Sequence, residues 1–377
     1  MRHLYFLIFI GIIGISAVGL IHFSRQFFDA CGLAVDSKLQ ANLSAIQLNE
    51  VRFSRKAAAN KEITLLFTGD IMLSRGIAGQ IKKHQDPRYP FLKIASTTQE
   101  ADLTFGNLEG PISSRGRNQG SIYSFRAKPE VIEGLKFAGF DILSLVNNHI
   151  WDWGKEALED TLSILKYTGI ETVGAGRNYK EANEPAVFEV NSILRTSEVL
   201  NINNNFETSD VQKFKKLNTR IAFLSYTNLY PDSFNAIGDS AGISDFALDR
   251  VKKEISQIKI HSINSEQAAD IVIISFHWGD EYQTRSNKTQ QNIAHALIGA
   301  GADLIVGHHP HTVQEIERYQ NGWIAYSLGN FVFDQNFSEE TREGLMLKVK
   351  IQDKKIVEVK PIKIKFSDTF QPEIVGL

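Results

Sequence analysis

Ile63-Thr64-Leu65-Leu66-Phe67-Thr68-Gly69-Asp70 is the stretch on which the fold turns. A short apolar run ended by Gly69-Asp70 reads as a buried strand that delivers an acid at its carboxyl end. The same design recurs along the chain. Leu103 to Phe105 runs into Gly106-Asn107-Leu108-Glu109, and Ile142 to Val146 into Asn147-Asn148-His149. Ile271 to Phe276 ends at His277, and Leu304 to Val306 at Gly307-His308-His309-Pro310-His311. Between these runs lie segments with apolar residues at three- and four-residue spacing: Pro129 to Ala138, Gly154 to Thr168, Phe246 to Ile260 and Lys288 to Gly299. That spacing predicts helices. Strands alternating with helices predict an α/β fold, in which ligands sit beyond the carboxyl ends of the strands. The polar clusters are therefore expected to converge.

Working outward, residues 191–216 interrupt the alternation with Asn201-Ile202-Asn203-Asn204-Asn205 and read as a surface insertion before a strand from Arg220 to Tyr226. Leu345 to Ile351 and Ile356 to Ile364 flank Asp353-Lys354, which predicts a closing hairpin. The globular domain is expected over 62–366, with a tail at 367–377. Residues 26–61 are polar and without period, as in a stalk. Residues 1–25 hold Leu4 to Ile21, an uncharged run of 18 residues. At 1.5 Å per residue it spans about 27 Å, close to the hydrocarbon thickness of a bilayer. Ser16-Ala17 offers a signal-cleavage site, but the apolar run continues through Leu20-Ile21, which suits an uncleaved membrane anchor better. Arg2 and Arg25 flank the run on either side and give only a weak orientation signal. With 41 Lys and Arg against 43 Asp and Glu, the chain has no basic field for a nucleic acid. The single cysteine, Cys31, rules out an internal disulfide.

Five of the ten histidines fall in three strand-end clusters. In the last of these, His309 and His311 are two apart and share a face if the segment is extended, as Pro310 favours for His309. Two imidazoles on one face suit a divalent transition metal, whereas His308 points the other way, toward packing or the support of a ligand. His277 is a further nitrogen ligand, and Asp70 offers a hard oxygen. Glu109 is preferred to Asn107 as the next ligand, being long enough to bridge two ions; Asn107 then holds the loop. Asn148 and His149 are adjacent and diverge, so Asn148 ligates metal while His149 faces substrate as general acid. Asp152 either orients His149 or caps the following helix. Arg126 and Arg75 are candidate anion contacts, since a guanidinium grips carboxylate or phosphate in a fork. Asn330, in Ser327-Leu328-Gly329-Asn330-Phe331, is a candidate support residue.

Taken in order, Gly69-Asp70, Asn107-Leu108-Glu109, Phe125-Arg126, Asn147-Asn148-His149 with Asp152 and Gly154, His277-Trp278-Gly279, Gly307-His308-His309-Pro310-His311 and Ser327-Leu328-Gly329-Asn330-Phe331 resemble the CapA family of poly-γ-glutamate capsule synthesis proteins. The resemblance runs from about Ile63 to Asp334. It implies the four-layer α/β sandwich of calcineurin-like metallophosphoesterases, with one or two divalent ions (Mn, Fe or Zn). It also implies an anchored domain outside the cytoplasm and a part in making or exporting an anionic polymer. Capsule synthase membrane subunits are then the expected partners. One departure from the wider metallophosphoesterases stands out: their Asp-x-His is here Asp70-Ile71-Met72, which supplies no second imidazole. Two functions fit. One is a metal-dependent hydrolase or transferase acting on a phosphate or amide; the other is a non-catalytic, polymer-handling scaffold of the synthase complex.

Overall fold

The computed structural model describes residues 62–197, 212–260 and 268–375. The apolar run Leu4–Ile21, the expected stalk, Cys31 and the Asn-rich stretch at 201–205 lie outside the described residues. No helix among the described residues is long and apolar enough to cross a membrane.

Strand β1 (Ile63–Ile71) is buried along nearly its whole length rather than on alternate residues, as expected of a strand covered on both faces. To one side of it lie β2 (Leu103–Leu108), β3 (Ile142–Ser144) and β4 (Glu171–Val173), all parallel. A separate pair joins β5 (Ala175–Gly176) to β8 (Gly242–Ile243). The second sheet takes in β6 (Ala186–Ser197), β7 (Gln212–Thr227), β9 (Ile271–His277), β10 (Leu304–His308), β11 (Ile316–Tyr319) and β12 (Gly322–Ala325), in the order β11-β12-β10-β9-β7-β6. The first sheet is completed by β13 (Asn330–Val332), parallel to β1, and by β14 (Glu343–Gln352), β15 (Lys355–Phe366) and β16 (Pro372–Ile374), giving the order β16-β15-β14-β1-β2-β3-β4. The β14–β15 turn puts Asp353 and Lys354 at φ 50° and 62°, the left-handed pair that a two-residue hairpin needs.

The longer helices among the described residues cover the outer faces: α1 (Arg75–His84), α2 (Ile132–Ala138), α3 (Gly154–Thr168), α4 (Leu248–Ile260) and α5 (Lys288–Gly299). In α3 the buried residues are Ala157, Leu158, Thr161, Leu162 and Leu165, a single stripe. Its end is set by Gly169, left-handed at φ 74°, whose N–H caps Leu165 and Lys166. Helix α5 starts on a reciprocal capping box between Asn287 and Gln290.

Three apolar clusters define the layers. Phe67, Phe105 and Ile142 of the first sheet pack against Phe223, Ile273 and Val306 of the second. Residues of α2 and α3 pack on the far side of the first sheet, and residues of α4 and α5 on the far side of the second. The result is the expected four-layer α/β sandwich, helix–sheet–sheet–helix.

Two parts of the chain contribute more strand than their polar composition suggests. The stretch read as an insertion includes the distal arms of β6 and β7, paired in register from Asn191↔Asn218 to Ser197↔Gln212, so β7 begins well before Arg220. Within the expected tail, β16 pairs with the end of β15.

Candidate metal centre

Two glycines let backbones cross close to the strand ends. A Cβ on Gly69 would lie 2.0 Å from the Gly329 carbonyl oxygen, and one on Gly307 would lie 1.8 Å from that of Tyr326. Gly69 delivers Asp70, and Gly307 delivers His308 and His309. Trp278 anchors the end of β9 by stacking on Phe276 and donating its indole N–H to the Tyr326 carbonyl at 2.9 Å.

Asp70, Glu109 and His277 bring one donor atom each to within 4.8 Å of the others, and all three are buried. Asp70 Oδ1 accepts from Asn107 Nδ2 at 2.9 Å, and Oδ2 accepts from the His309 N–H at 3.2 Å. Asn107 thus holds the carboxylate that β1 delivers, and its Nδ2 also lies 3.4 Å from His277 Nδ1. Asn148 Oδ1 lies 2.8 Å from His277 Nε2. His309 and His277 have ring centroids 4.8 Å apart.

The Gly-His-His-Pro-His segment does not follow the extended path expected of it. His309 and His311 sit at φ 98° and 58°, in the left-handed region that side-chain-bearing residues rarely enter. The turn is held by long-range bonds: the His309 N–H to Asp70, and the Tyr282 N–H to the Pro310 carbonyl at 2.8 Å. Both rings nonetheless reach the cluster, with centroids 6.0 Å apart. His311 Nδ1 faces Asn330 Oδ1 at 3.0 Å and Asp70 Oδ2 at 3.3 Å, so that nitrogen carries the hydrogen. Its Nε2 points toward Glu109 Oε1 at 3.6 Å. Asn330 supports His311 and is itself fixed by donating to Gln335 and to the Thr341 carbonyl.

His308 turns the other way. Its Nε2 donates to the Thr68 carbonyl at 3.2 Å, leaving Nδ1 to accept from the Ser275 hydroxyl at 3.3 Å. It ties the two sheets together.

Beside the cluster, His149 Nδ1 donates to Asp152 Oδ2 at 2.7 Å, and the same oxygen accepts the Phe125 N–H. The cap position of α3 belongs to Trp153, and Asp152 is occupied with His149. His149 Nε2 is left facing the cluster, 3.8 Å from Glu109 Oε1. Phe125 stacks on His149 at 3.9 Å. Arg75 lies 4.9 Å over the other partner in that stack, Phe125, and forks onto Asp334. Arg126 covers Trp153 at 3.4 Å and donates to the Arg115 carbonyl. Arg75 therefore reaches the rim one ring away from His149, whereas Arg126 packs on the neighbouring tryptophan.

The electrostatics follow from this packing. Burial pushes Glu109 well above the usual carboxylate range, aided by the nearby charges of Asp70, Glu281 and Asp152. Burial acts to raise Asp70 as well, but the hydrogen bond from His311 and the surrounding imidazoles bring it below its ordinary value. Burial and the neighbouring rings press His277 well down, and they lower His309 to about 3. Burial opposes charge on His311 too, yet Glu109 and Asp70 outweigh it and raise His311 to about 9. Glu281 and Phe125 were not singled out as site residues from sequence; Glu281 follows Gly279 within four residues of His277, which is the signal that points to it.

Both carboxylate oxygens of Glu109 and the Nδ1 of His309 are buried without a hydrogen-bond partner. A buried carboxylate with no donor is costly unless a cation compensates it. The donor atoms of Asp70, Glu109 and His277 lie within 4.8 Å of one another, about the width of one coordination sphere with bonds of about 2.0–2.3 Å. The residues present fit a divalent metal.

A four-layer α/β sandwich with buried carboxylates, amides and imidazoles at its strand ends is the architecture of the calcineurin-like metallophosphoesterases. Within that class the match is narrower. The family described as bacterial capsule synthesis protein PGA_cap matches residues 64–335, and the chain belongs to this family, that of the CapA proteins. It is 30% identical over 325 residues to the capsule biosynthesis protein CapA of Bacillus anthracis, covering 85% of this chain and 72% of that one. It is 28% identical over 295 residues to the PGA biosynthesis protein CapA of Bacillus subtilis (strain 168), covering 78% and 68%. Among solved structures, a hypothetical protein from Thermus thermophilus aligns with 80% of this chain and 99% of its own, at 15% identity and a TM-score of 0.45.

Proposed function

We propose that this chain acts in the synthesis or export of an anionic capsule polymer of the poly-γ-glutamate type, as a metal-dependent hydrolase or transferase working on a phosphate or amide bond. The observation that carries the reading is the set of unpartnered buried acceptors on Glu109 and His309, placed beside the His149–Asp152 pair. Asp70, Glu109, Asn148, His277, His309 and His311 are the residues that would hold metal. A bound divalent ion would supply Lewis-acid polarisation of a phosphoryl or carbonyl oxygen.

The chain's own residues supply the rest. Asp152 fixes the tautomer of His149, so that Nε2 faces the reacting region and can pass a proton to a leaving atom. Phe125, bonded to the same carboxylate, holds the ring flat and keeps water off one face. Arg75, oriented by Asp334, presents a guanidinium at the rim for the carboxylates or phosphates of a polymer. The run Leu4–Ile21 would tether the domain to the outer face of the cell membrane, where synthase subunits are its partners.

The test compares metal-loaded wild type with His149→Ala on polyglutamate and on phosphoesters. A loss of turnover by about 10²–10⁴ with ion content unchanged supports the reading. A loaded wild type that cleaves and transfers nothing sinks it, and leaves a polymer-handling scaffold.

A further inference from the structure

One short segment lays out the rim of the metal centre. After β13, Phe333 is buried between the two sides of the cluster, with ring centroids 4.7 Å from His311 and 5.8 Å from Phe125. Asp334 forks onto Nε and Nη2 of Arg75, which leaves Nη1 for a second acceptor. Gln335 reaches the opposite way: its Oε1 accepts from Asn330 at 3.0 Å and its Nε2 donates to the Tyr282 hydroxyl at 3.3 Å. Phe337 meets the Tyr282 ring edge-on at 5.1 Å. Between these ends lies Glu109, whose Oε1 is 3.8 Å from His149 Nε2 on the Arg75 side and 3.6 Å from His311 Nε2 on the Tyr282 side.

The Tyr282 end is apolar and open. Tyr282 is held at φ 62° with its N–H on the Pro310 carbonyl, and its ring stands 6.1 Å from that of His311. A left-handed tyrosine is strained backbone of the kind kept at ligand sites. Its hydroxyl is taken up by Gln335 and by the Glu281 carboxylate, so what it offers is the ring. Tyr282 is 40% exposed and Phe337 63%, two rings turned to solvent beside a buried polar cluster. Glu281 repels an anionic group at this end, whereas Arg75 attracts one at the other.

Resting on the polymer reading above, we infer that Tyr282 and Phe337 form a subsite for the apolar spacer of the chain on which the cluster acts. The occupant is a carboxylate-bearing chain with methylene spacers. One carboxylate goes to Arg75, the chain passes over Glu109, and the methylenes of the adjoining unit pack on the two rings. The charges at the two ends fix the direction in which the chain lies.

The experiment measures binding of two polyanions, poly-γ-glutamate and polyphosphate of equal charge number, to the full chain purified in detergent, with wild type beside Phe337→Ala and Tyr282→Ala. Ion content is read on the same samples. Removing either ring is expected to weaken poly-γ-glutamate binding about tenfold, the worth of about two methylenes leaving water, with polyphosphate binding and ion content unchanged. Phe337→Ala, at an exposed position, stays readable if Tyr282→Ala does not fold. Unchanged poly-γ-glutamate binding in Phe337→Ala, or an equal loss for both polyanions, overturns the subsite and leaves the metal-dependent function standing. A wild type that holds its ion and binds neither polyanion overturns the polymer reading along with it.

Discussion

His308 and His309 are neighbours in sequence, both buried, and they belong to two different regions. His308 lies in the seam between the sheets, where polar groups are closed off in pairs. It bonds to Thr68 and Ser275, and Ser144 meets Ser225 at 2.7 Å. His309 lies in the strand-end cluster, where Nδ1 and both oxygens of Glu109 have no partner and the backbone is held at φ 98°. Buried polar groups are almost always satisfied, and strained backbone gathers where ligands are handled. The seam is therefore a structural device that is complete as it stands, and the cluster has open acceptors that a cation could fill.

The largest effect is expected where the strand that carries His308 depends on a missing side chain. Gly307→Ala would set a Cβ 1.8 Å from the Tyr326 carbonyl and 2.6 Å from the Trp278 indole nitrogen, both inside the core. Neither can give way, so a loss of more than about 4 kcal/mol is expected, seen as absent soluble protein or a collapsed urea midpoint. A Gly307→Ala protein as stable as wild type would mean that the two strands do not cross as described.

The next test sets the two histidines against each other. His308→Ala leaves the Thr68 carbonyl and the Ser275 hydroxyl unpaired beside a cavity and is expected to cost about 2–4 kcal/mol, with ion content retained. His309→Ala deletes a nitrogen that had no partner, which offsets the lost packing. Metal-free stability is then expected to move by under about 1 kcal/mol while ion affinity falls sharply. Urea denaturation and elemental analysis on the two variants check both halves, and the reverse pattern would break the comparison.

Much of this division was legible in the residues. The strand-plus-polar-end design placed Asp70, Glu109 and His277 together, because period and composition report burial directly, and helices α3 and α5 span the stretches their spacing predicts. What could not be read were features set by distant partners. The extended form expected for His309-Pro310-His311 gives way to left-handed residues because the His309 N–H reaches Asp70, 239 positions away in the chain. Arg75 looks like a free anion contact until Asp334, 259 positions on, closes a fork around it. Asp152 had two equal local readings, and only the approach of Phe125 and His149 to one oxygen separates them.

The pH response of the metal-free protein sharpens the comparison from the cluster side. His311 is raised from 6.5 to about 9, against burial, by Glu109 and Asp70. A histidine shifted upward contributes stability that is fully present below 6.5 and is lost as pH rises through about 9. The shift corresponds to a contribution on the order of 3 kcal/mol. Glu109, pushed up by burial, acts in the same direction, but from its ordinary 4.5 upward. Denaturation at pH 6 and pH 9.5 should therefore show a falling stability that His311→Gln reduces and His308→Gln does not. A loss of stability that is the same in wild type and His311→Gln would remove His311 from the cluster's charge balance.

The smallest change in stability is expected at Arg75, which belongs to the cluster by position and resembles the seam in having its partners. Its fork to Asp334 is partly exposed, and such pairs are worth under about 1 kcal/mol. Arg75→Lys keeps the charge and loses the planar fork and the contact over Phe125. If Arg75 only braces the start of α1, polymer affinity stays at the wild-type value and the urea midpoint shifts slightly. If it presents its guanidinium to a polyanion beside His149, the midpoint still barely moves while affinity for polyglutamate falls severalfold with its salt dependence retained, since the charge stays and only the bidentate geometry is lost. Binding isotherms at low and high salt separate the two, and the second outcome is the one expected from a guanidinium held one ring away from the proton-bearing histidine.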